Sequence, residues 1–130
     1  MIQIEHYVLD SPTLLATGGN KQVSGLIHAA ASSEDVRLWA PLLSLLEAER
    51  ERAGIVAHAG VLLDVLRVLD DDYAMAVTVA ELLRDGVVPG IAAAVHVARP
   101  NLMLPEGALV ATVSPEAYDG LGVGVMDLNR

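Results

Sequence analysis

The sequence contains no cysteine and no phenylalanine, and aromatic residues make up only 3% of it. The absence of cysteine excludes disulfide bonds and thiolate metal sites, and it is compatible with a reducing compartment. The shortage of aromatic side chains means that a buried core has to be built from aliphatic ones. Hydrophobic residues, counted with alanine, form 53% of the chain, so the material for such a core is abundant.

Long apolar runs are also missing. No stretch free of charge reaches the ~18 residues that a membrane-spanning helix needs. The amino-terminal stretch MIQIEHYVLD carries an acid at position 5 and no basic region, so it does not resemble a signal peptide. We therefore predict a soluble, cytoplasmic protein with no membrane partner.

Positive charge is scarce as well. The chain has 8 basic and 17 acidic residues, a formal net charge of −9, and a single lysine, Lys21. Nucleic-acid binding draws mostly on Lys and Arg side chains that neutralise phosphate charge. A nucleic-acid partner would therefore need a metal ion, a second protein or a local basic patch, and the sequence shows no basic run.

Apolar periodicity divides the chain into strands that alternate with helices in the order β-α-α-β-α-α-β-α-α-β-α-β. The predicted strands cover residues 4–9, 36–40, 65–69, 108–112 and 122–128. Such alternation predicts an α/β fold, here a three-layer α/β/α sandwich around a mostly parallel sheet of four or five strands. Because no internal repeat or linker interrupts the pattern, we expect one domain over residues 1–130.

A carboxylate stands where the first strand meets the first helix, in the stretch EHYVLDSPTLLA. Asp10 ends the apolar run, and Ser11 and Pro12 follow it. Asp is a favoured helix N-cap and Pro suits the first helical position, which explains this pattern structurally. Strand ends in open α/β sheets are also where ligand sites are built. The residues alone leave both interpretations of Asp10 open.

Other polar candidates have simpler explanations. The run Asp70–Asp72 opens a helix, and consecutive acids do not point at one centre, so capping is the favoured interpretation. The four histidines lie on different elements, and no pair shows the i, i+4 spacing of a helical zinc site. His96 is of interest because its helix begins beside the expected site. Thr112 and Ser114 lack the His and Asp pattern of a nucleophilic triad.

Four segments follow one another along the chain: YVLDSPTLLA, LWAPLLSLLEAER, VLRVLDDDYAMAVTVAELL, and the pair GIAAAVHVA and ALVATVSPEAYDGL. In this order they resemble the PIN domain, and most closely the small VapC-type ribonuclease toxins. The resemblance covers nearly the whole chain and implies a PIN-like fold. It also implies phosphodiester cleavage by a cluster of three or four carboxylates that holds Mg²⁺ or Mn²⁺, since hard cations take oxygen ligands and activate water.

By this resemblance, Asp10 and Glu47 match the first two acids and would be the catalytic and metal-binding residues. The third acid belongs near Pro89 or Gly90, and neither is a carboxylate. The fourth belongs where Ser114 stands, although the preceding Thr112 is kept. Ser11, Thr112 and Ser114 would complete the pocket, so the site looks degenerate, with two of four acids absent.

Three functional hypotheses remain open. In the first, the chain is a degenerate PIN protein with weak or lost nuclease activity that acts by binding a partner protein or nucleic acid. In the second, it is an active Mg²⁺- or Mn²⁺-dependent ribonuclease toxin of a toxin–antitoxin pair, with RNA as substrate. In the third, it is a structural subunit of an assembly, in which Asp10 and Glu47 are relics. A toxin-like chain implies a small antitoxin-like partner, and the family and the Ala-rich helices suggest a homodimer.

Overall fold

The computed structural model of the chain describes residues 3–129; Met1, Ile2 and Arg130 of the predicted domain 1–130 lie outside the described residues. The strands are β1 Glu5–Leu9, β2 Val36–Pro41, β3 Leu66–Leu69, β4 Leu109–Thr112 and β5 Val125–Asp127. The helices are α1 Ser11–Leu15, α2 Lys21–Ser32, α3 Leu42–Glu51, α4 Ile55–Val61, α5 Tyr73–Arg84, α6 Pro89–Ala98 and a 3₁₀ helix, Pro115–Tyr118.

The five strands form one sheet in the order β3-β2-β1-β4-β5, and all four neighbouring pairs are parallel. This confirms the predicted α/β fold and settles the strand number at five. The chain adds β2 and β3 on one side of β1, then returns to add β4 and β5 on the other. The strand order therefore reverses between β1 and β4, and in open parallel sheets the crevice at the carboxyl ends of such strands is the usual ligand site.

Two buried clusters cover the two faces of the sheet, which confirms the three layers. One contains Val8 of β1 together with residues of α5 and α6. The other contains Tyr7 and Leu9 of β1 together with residues of α1, α2, α3 and α4. Successive strand residues point to opposite faces, so this short apolar strand serves both layers. The Ala-rich helix α6 is buried over most of its length, because small side chains let it pack closely.

Three of the helices, α1, α2 and α5, begin directly after a residue whose side chain caps them. The Asn20 side chain accepts hydrogen bonds from two backbone N–H groups at the start of α2. Asp72 accepts one from Met75 N at 2.8 Å, which confirms that the acidic run caps α5. Pro41 is the last residue of β2, and helix α3 begins at the next residue, Leu42. Within residues 3–129, no helix is both long and apolar enough to cross a bilayer.

The sole tryptophan, Trp39, is tied to a histidine on the neighbouring strand. Its indole N–H donates to His6 Nδ1 at 3.0 Å, and the Arg67 guanidinium lies 5.4 Å from the centre of the Trp39 ring. Burial, and then the positive charges of Arg37 and Arg67, lower the pKa of His6. An indole N–H can only donate, so this bond needs a neutral His6 with an unprotonated Nδ1.

This arrangement predicts a loss of stability in mild acid. The unfolded chain takes up a proton at His6 near pH 6.5, and the folded chain does so only at lower pH. The free energy of unfolding therefore decreases as the pH falls below about 6.5. We expect the His6→Gln variant to lose less stability than the wild type between about pH 7 and pH 5, measured by urea unfolding followed through Trp39 fluorescence. His28→Gln, at an exposed position of α2, is the matched control and should behave like the wild type. Equal pH dependence in all three proteins would contradict the prediction.

Candidate functional site

The predicted site residues lie on elements that meet at the carboxyl ends of the strands. Asp10 directly follows β1, and Thr112 is the last residue of the adjacent strand β4. Glu47 lies on α3, the helix after β2, and Gly90 lies at the start of α6. The sheet order thus puts Asp10 and Thr112 at the point where the strand order reverses.

The Asp10 carboxylate is fully buried and accepts four hydrogen bonds. Its Oδ1 atom accepts from the backbone N of Thr13 at 3.1 Å and from Thr13 Oγ1 at 2.6 Å. Its Oδ2 atom accepts from Thr112 Oγ1 at 2.7 Å and from the Tyr118 hydroxyl at 2.6 Å. The capping interpretation of Asp10 is therefore confirmed. The same carboxylate also ties α1 to β4 and to the 3₁₀ helix.

The two threonine hydroxyls are held in a fixed direction. Thr13 Oγ1 accepts a hydrogen bond from Val113 N at 3.1 Å, and Thr112 Oγ1 accepts one from Ser114 N at 2.9 Å. Since a hydroxyl has one proton, each threonine receives a backbone N–H and gives its own proton to Asp10. Ser114 contributes its backbone N–H to the site, and it supplies no carboxylate at this position.

Glu47 and the two serines of the site converge on the start of α6. Glu47 Oε2 accepts a hydrogen bond from Gly90 N at 2.6 Å, so its charge faces the helix amino terminus, where negative charge is favourable. Ser44 Oγ donates to Gly90 O at 2.7 Å. Ser11 Oγ donates to Ser44 O at 3.0 Å. These bonds join α1, α3 and α6.

Gly90, one of the two positions near which the resemblance expects the third acid, leaves no room for a side chain while Ser11 stays in place. A Cβ atom built there would lie 2.0 Å from Ser11 Oγ and 3.1 Å from the Glu47 carboxyl. Atoms in real structures do not approach so closely, so a side chain at this position would displace Ser11. The space that a third carboxylate would need is filled by the hydroxyl of a neighbouring residue.

These contacts do not fit a divalent metal ion. A carboxylate offers about four lone-pair positions, and protein donors already take four at Asp10. The donors present their protons where a cation would have to stand. Among residues 3–129, no group of three or more His, Cys, Asp or Glu side chains is arranged to hold a metal. The donor set is that of a closed structural network.

Two surface clefts lie away from this site. One, of about 810 Å³, is lined by the ends of α2 and α4 and by Arg37 and Arg67. Another, of about 500 Å³, lies between the start of α5 and the segment after α6. Neither is lined by Asp10 or Glu47. His96 lines the second cleft, where its Nδ1 lies 2.7 Å from Thr78 Oγ1. The structure therefore places His96 away from Asp10 and Glu47.

Sequence reasoning missed the residues that close the site. Thr13 had a usable signal, because a hydroxyl three positions after an N-cap Asp can reach back to it. Tyr118 had none, since it is 108 positions from Asp10 in the chain. Burial, followed by the charge of Asp10 and its hydrogen bond, raises the pKa of the Tyr118 phenol well above its usual range. Tyr118 therefore stays a hydrogen-bond donor to Asp10.

A raised phenol pKa predicts alkaline sensitivity. The unfolded chain loses tyrosine protons near pH 10, whereas the folded chain keeps the Tyr118 proton to higher pH. The Tyr118 phenol therefore contributes fully to the free energy of unfolding below pH 10, and this contribution declines above it. Burial and Glu5 raise the pKa of Tyr7 to about 12, which adds to the decline. We expect Tyr118→Phe to flatten the loss of stability above pH 10 in denaturant unfolding. Tyr73→Phe, at an exposed position, should match the wild type, and an unchanged slope in Tyr118→Phe would contradict the prediction.

No protein-family model matches the sequence, and no curated protein matches it either. Solved structures share its fold. The chain aligns with VapBC-1 from nontypeable Haemophilus influenzae at 14% identity and TM-score 0.65, covering 96% of this chain and 99% of that one. It aligns with FitAcB from Neisseria gonorrhoeae at 18% identity and TM-score 0.60, with 95% and 99% covered.

A third similar structure is FitAB bound to an IR36 DNA fragment, at 18% identity and TM-score 0.54, with 95% of this chain and 96% of that chain covered. At such identities the likeness is one of fold. It extends over almost the full length of both chains in each comparison. The predicted PIN-like α/β fold is thereby confirmed.

Proposed function

We propose that this chain is a PIN-fold protein that acts by binding a partner protein, with its nuclease activity lost. The observation that carries the proposal is the Asp10 carboxylate, whose two oxygens are saturated by donors from Thr13, Thr112 and Tyr118. A nuclease of this type needs that carboxylate free to bind a cation and to activate water. The side-chain-free Gly90 supports the same conclusion, because a third carboxylate has no space there.

The partner we propose is a small antitoxin-like protein. By fold, the chain matches the VapC- and FitB-type PIN toxins of toxin–antitoxin systems. One of the similar structures, FitAB, is bound to a DNA fragment. For the present chain a net charge of −9 favours a protein over a nucleic acid as the direct contact. Cytoplasmic location and a homodimeric state stay predictions. Light scattering on the purified chain would measure the oligomeric state.

The deciding experiment is an RNA cleavage assay on the purified chain with Mg²⁺, with Mn²⁺ and with a chelator. We expect no cleavage that depends on metal, and no difference between the wild type and the Asp10→Asn, Glu47→Gln double variant. The alternative is an active ribonuclease that uses Asp10 and Glu47 as metal ligands. Manganese-dependent cleavage that disappears in the double variant would establish this alternative and overturn the proposal.

Partner binding needs its own test. We expect the chain to form a stable complex, when the two are produced together, with the product of a small gene encoded beside it. The Glu47→Gln variant, which leaves the four hydrogen bonds of Asp10 in place, should form the same complex, because the proposal assigns binding to the surface and not to the carboxylates. Absence of a complex with every adjacent gene product would contradict the proposed kind of partner.

A further inference from the structure

A groove rich in apolar side chains lies on the layer formed by α5 and α6. We call it the α5–α6 groove, and its larger apolar lining residues are Leu69, Met75, Val97, Leu102, Met103 and Leu104. Its volume is about 500 Å³. Met75, Val97 and Leu104 are buried in the core below, whereas Leu102 is fully exposed and Met103 is 61% exposed. The groove therefore has an apolar floor and two apolar side chains standing free at its margin.

A turn built on the hydrogen bonds of Asn101 directs these two side chains outward. The Asn101 side chain donates to Val97 O and Arg99 O, and its Oδ1 accepts from Met103 N and Leu104 N. Asn101 N also donates to Leu104 O at 3.0 Å. The turn thus buries Leu104 and fixes Leu102 and Met103 in the solvent. Presenting exposed apolar groups on a hydrogen-bonded turn lowers the entropy cost of binding, because less ordering is needed when a partner arrives.

The charge at the groove has one sign. Asp70 and Asp72 line it, and no Lys or Arg among residues 3–129 does. The ionisable residue on the other side is His96, whose ring is bonded to Thr78. Arg99, the nearest arginine before the turn, extends its guanidinium to Leu121 O. An acidic rim beside apolar side chains suits a segment that carries both apolar residues and positive charge.

We propose that the α5–α6 groove binds a segment of a partner protein in which apolar residues alternate with Lys or Arg. The inference rests on the proposed function, because it identifies the surface at which the proposed partner binds. The apolar side chains of the segment cover Leu102 and Met103, and its cations lie against Asp70 and Asp72. A second copy of this chain is disfavoured because both copies would bring the same acidic rim, and RNA is disfavoured because its phosphates would face these aspartates.

The test uses a synthetic amphipathic peptide of leucine and lysine, with a leucine–glutamate peptide as its counterpart. Titration calorimetry gives the affinity, and NMR shift changes locate the contact. We expect the lysine peptide to bind and to shift residues 70–75 and 101–104, while the glutamate peptide does not bind. The Leu102→Ser, Met103→Ser double variant should lose at least about tenfold in affinity, because it removes the exposed apolar contacts.

Matched variants separate this groove from other apolar or acidic surface. Val61 and Leu63 are 79% and 58% exposed and lie outside the groove, so Val61→Ser, Leu63→Ser should bind the lysine peptide like the wild type. Asp70→Asn, which removes one of the two charges that line the groove, should weaken binding and reduce its salt dependence. Asp72 is left intact because it caps α5. Both serine double variants should melt near the wild-type temperature, since all four side chains are exposed.

Three results would overturn the proposal. The first is equal peptide affinity in the groove variant and the wild type. The second is a wild-type dimer that dissociates in the Leu102→Ser, Met103→Ser variant, which would make a second copy the occupant. The third is displacement of the peptide from the groove by a short single-stranded RNA. None of these depends on the cleavage assay: metal-dependent cleavage would refute the proposed loss of nuclease activity and leave the peptide result standing.

Discussion

Replacing Asp10 by alanine should lower the free energy of unfolding by about 3–5 kcal/mol in the absence of any metal. The substitution removes the acceptor of four hydrogen bonds and leaves the Thr13, Thr112 and Tyr118 hydroxyls facing a dry space. Hydrogen bonds to a charged group are stronger than neutral ones, and a buried donor left without a partner carries its full desolvation cost. Denaturant unfolding, analysed with a common m-value, measures the difference.

The result separates a structural carboxylate from a metal ligand. Carboxylates that share a metal site repel one another when the metal is absent, so removing one of them commonly leaves the stability unchanged or raises it. Glu106→Ala, which removes an exposed acid, is the control and should stay within about 0.5 kcal/mol of the wild type. Two results would show that Asp10 serves a cation instead. One is an Asp10→Ala variant as stable as the wild type, and the other is strong stabilisation by Mn²⁺ of the wild type but not of Asp10→Ala.

The second large effect concerns Gly90. We expect Gly90→Ala to destabilise the protein by roughly 1–3 kcal/mol, because its Cβ would meet Ser11 Oγ and press on the Glu47 carboxyl. The expected cause is displacement of Ser11, so removal of that hydroxyl should rescue much of the loss. Ser11→Ala alone should cost about 1 kcal/mol for its bond to Ser44 O. The double variant should then be more stable than the sum of the two losses predicts.

Gly25 provides the matched control for this prediction. It lies in helix α2, and nothing stands within 4 Å of a Cβ built there. Gly25→Ala should therefore stabilise the chain by up to about 1 kcal/mol, since alanine restricts the unfolded chain and suits a helix. The same substitution in two helices thus has opposite expected signs. Strictly additive losses in Ser11→Ala, Gly90→Ala would contradict the proposed contact between the two side chains.

The α/β fold could be predicted from the sequence because its signals are local. Apolar runs, turn residues and caps follow one another along the chain, and parallel strands joined by helices have few arrangements. Asp72 as a cap and the alternation at Tyr7, Val8 and Leu9 are examples of what short stretches specify. The sequence also placed Asp10 at the end of the first strand and Glu47 on the helix that follows the second strand. Spacing along the chain specifies no more than that.

By itself, then, the sequence determined the order of elements, the parallel sheet, the caps and the acidic character of the surface, since each depends on residues near one another or on composition. Tertiary structure alone decided what Asp10 contacts. Thr112 and Tyr118 are more than 100 positions away from it, and they reach its Oδ2 atom only because β4 pairs with β1 and the 3₁₀ helix folds back over the sheet. Whether a carboxylate is open to a cation depends on which donors the packed chain brings to its oxygens, and no local pattern specifies those donors.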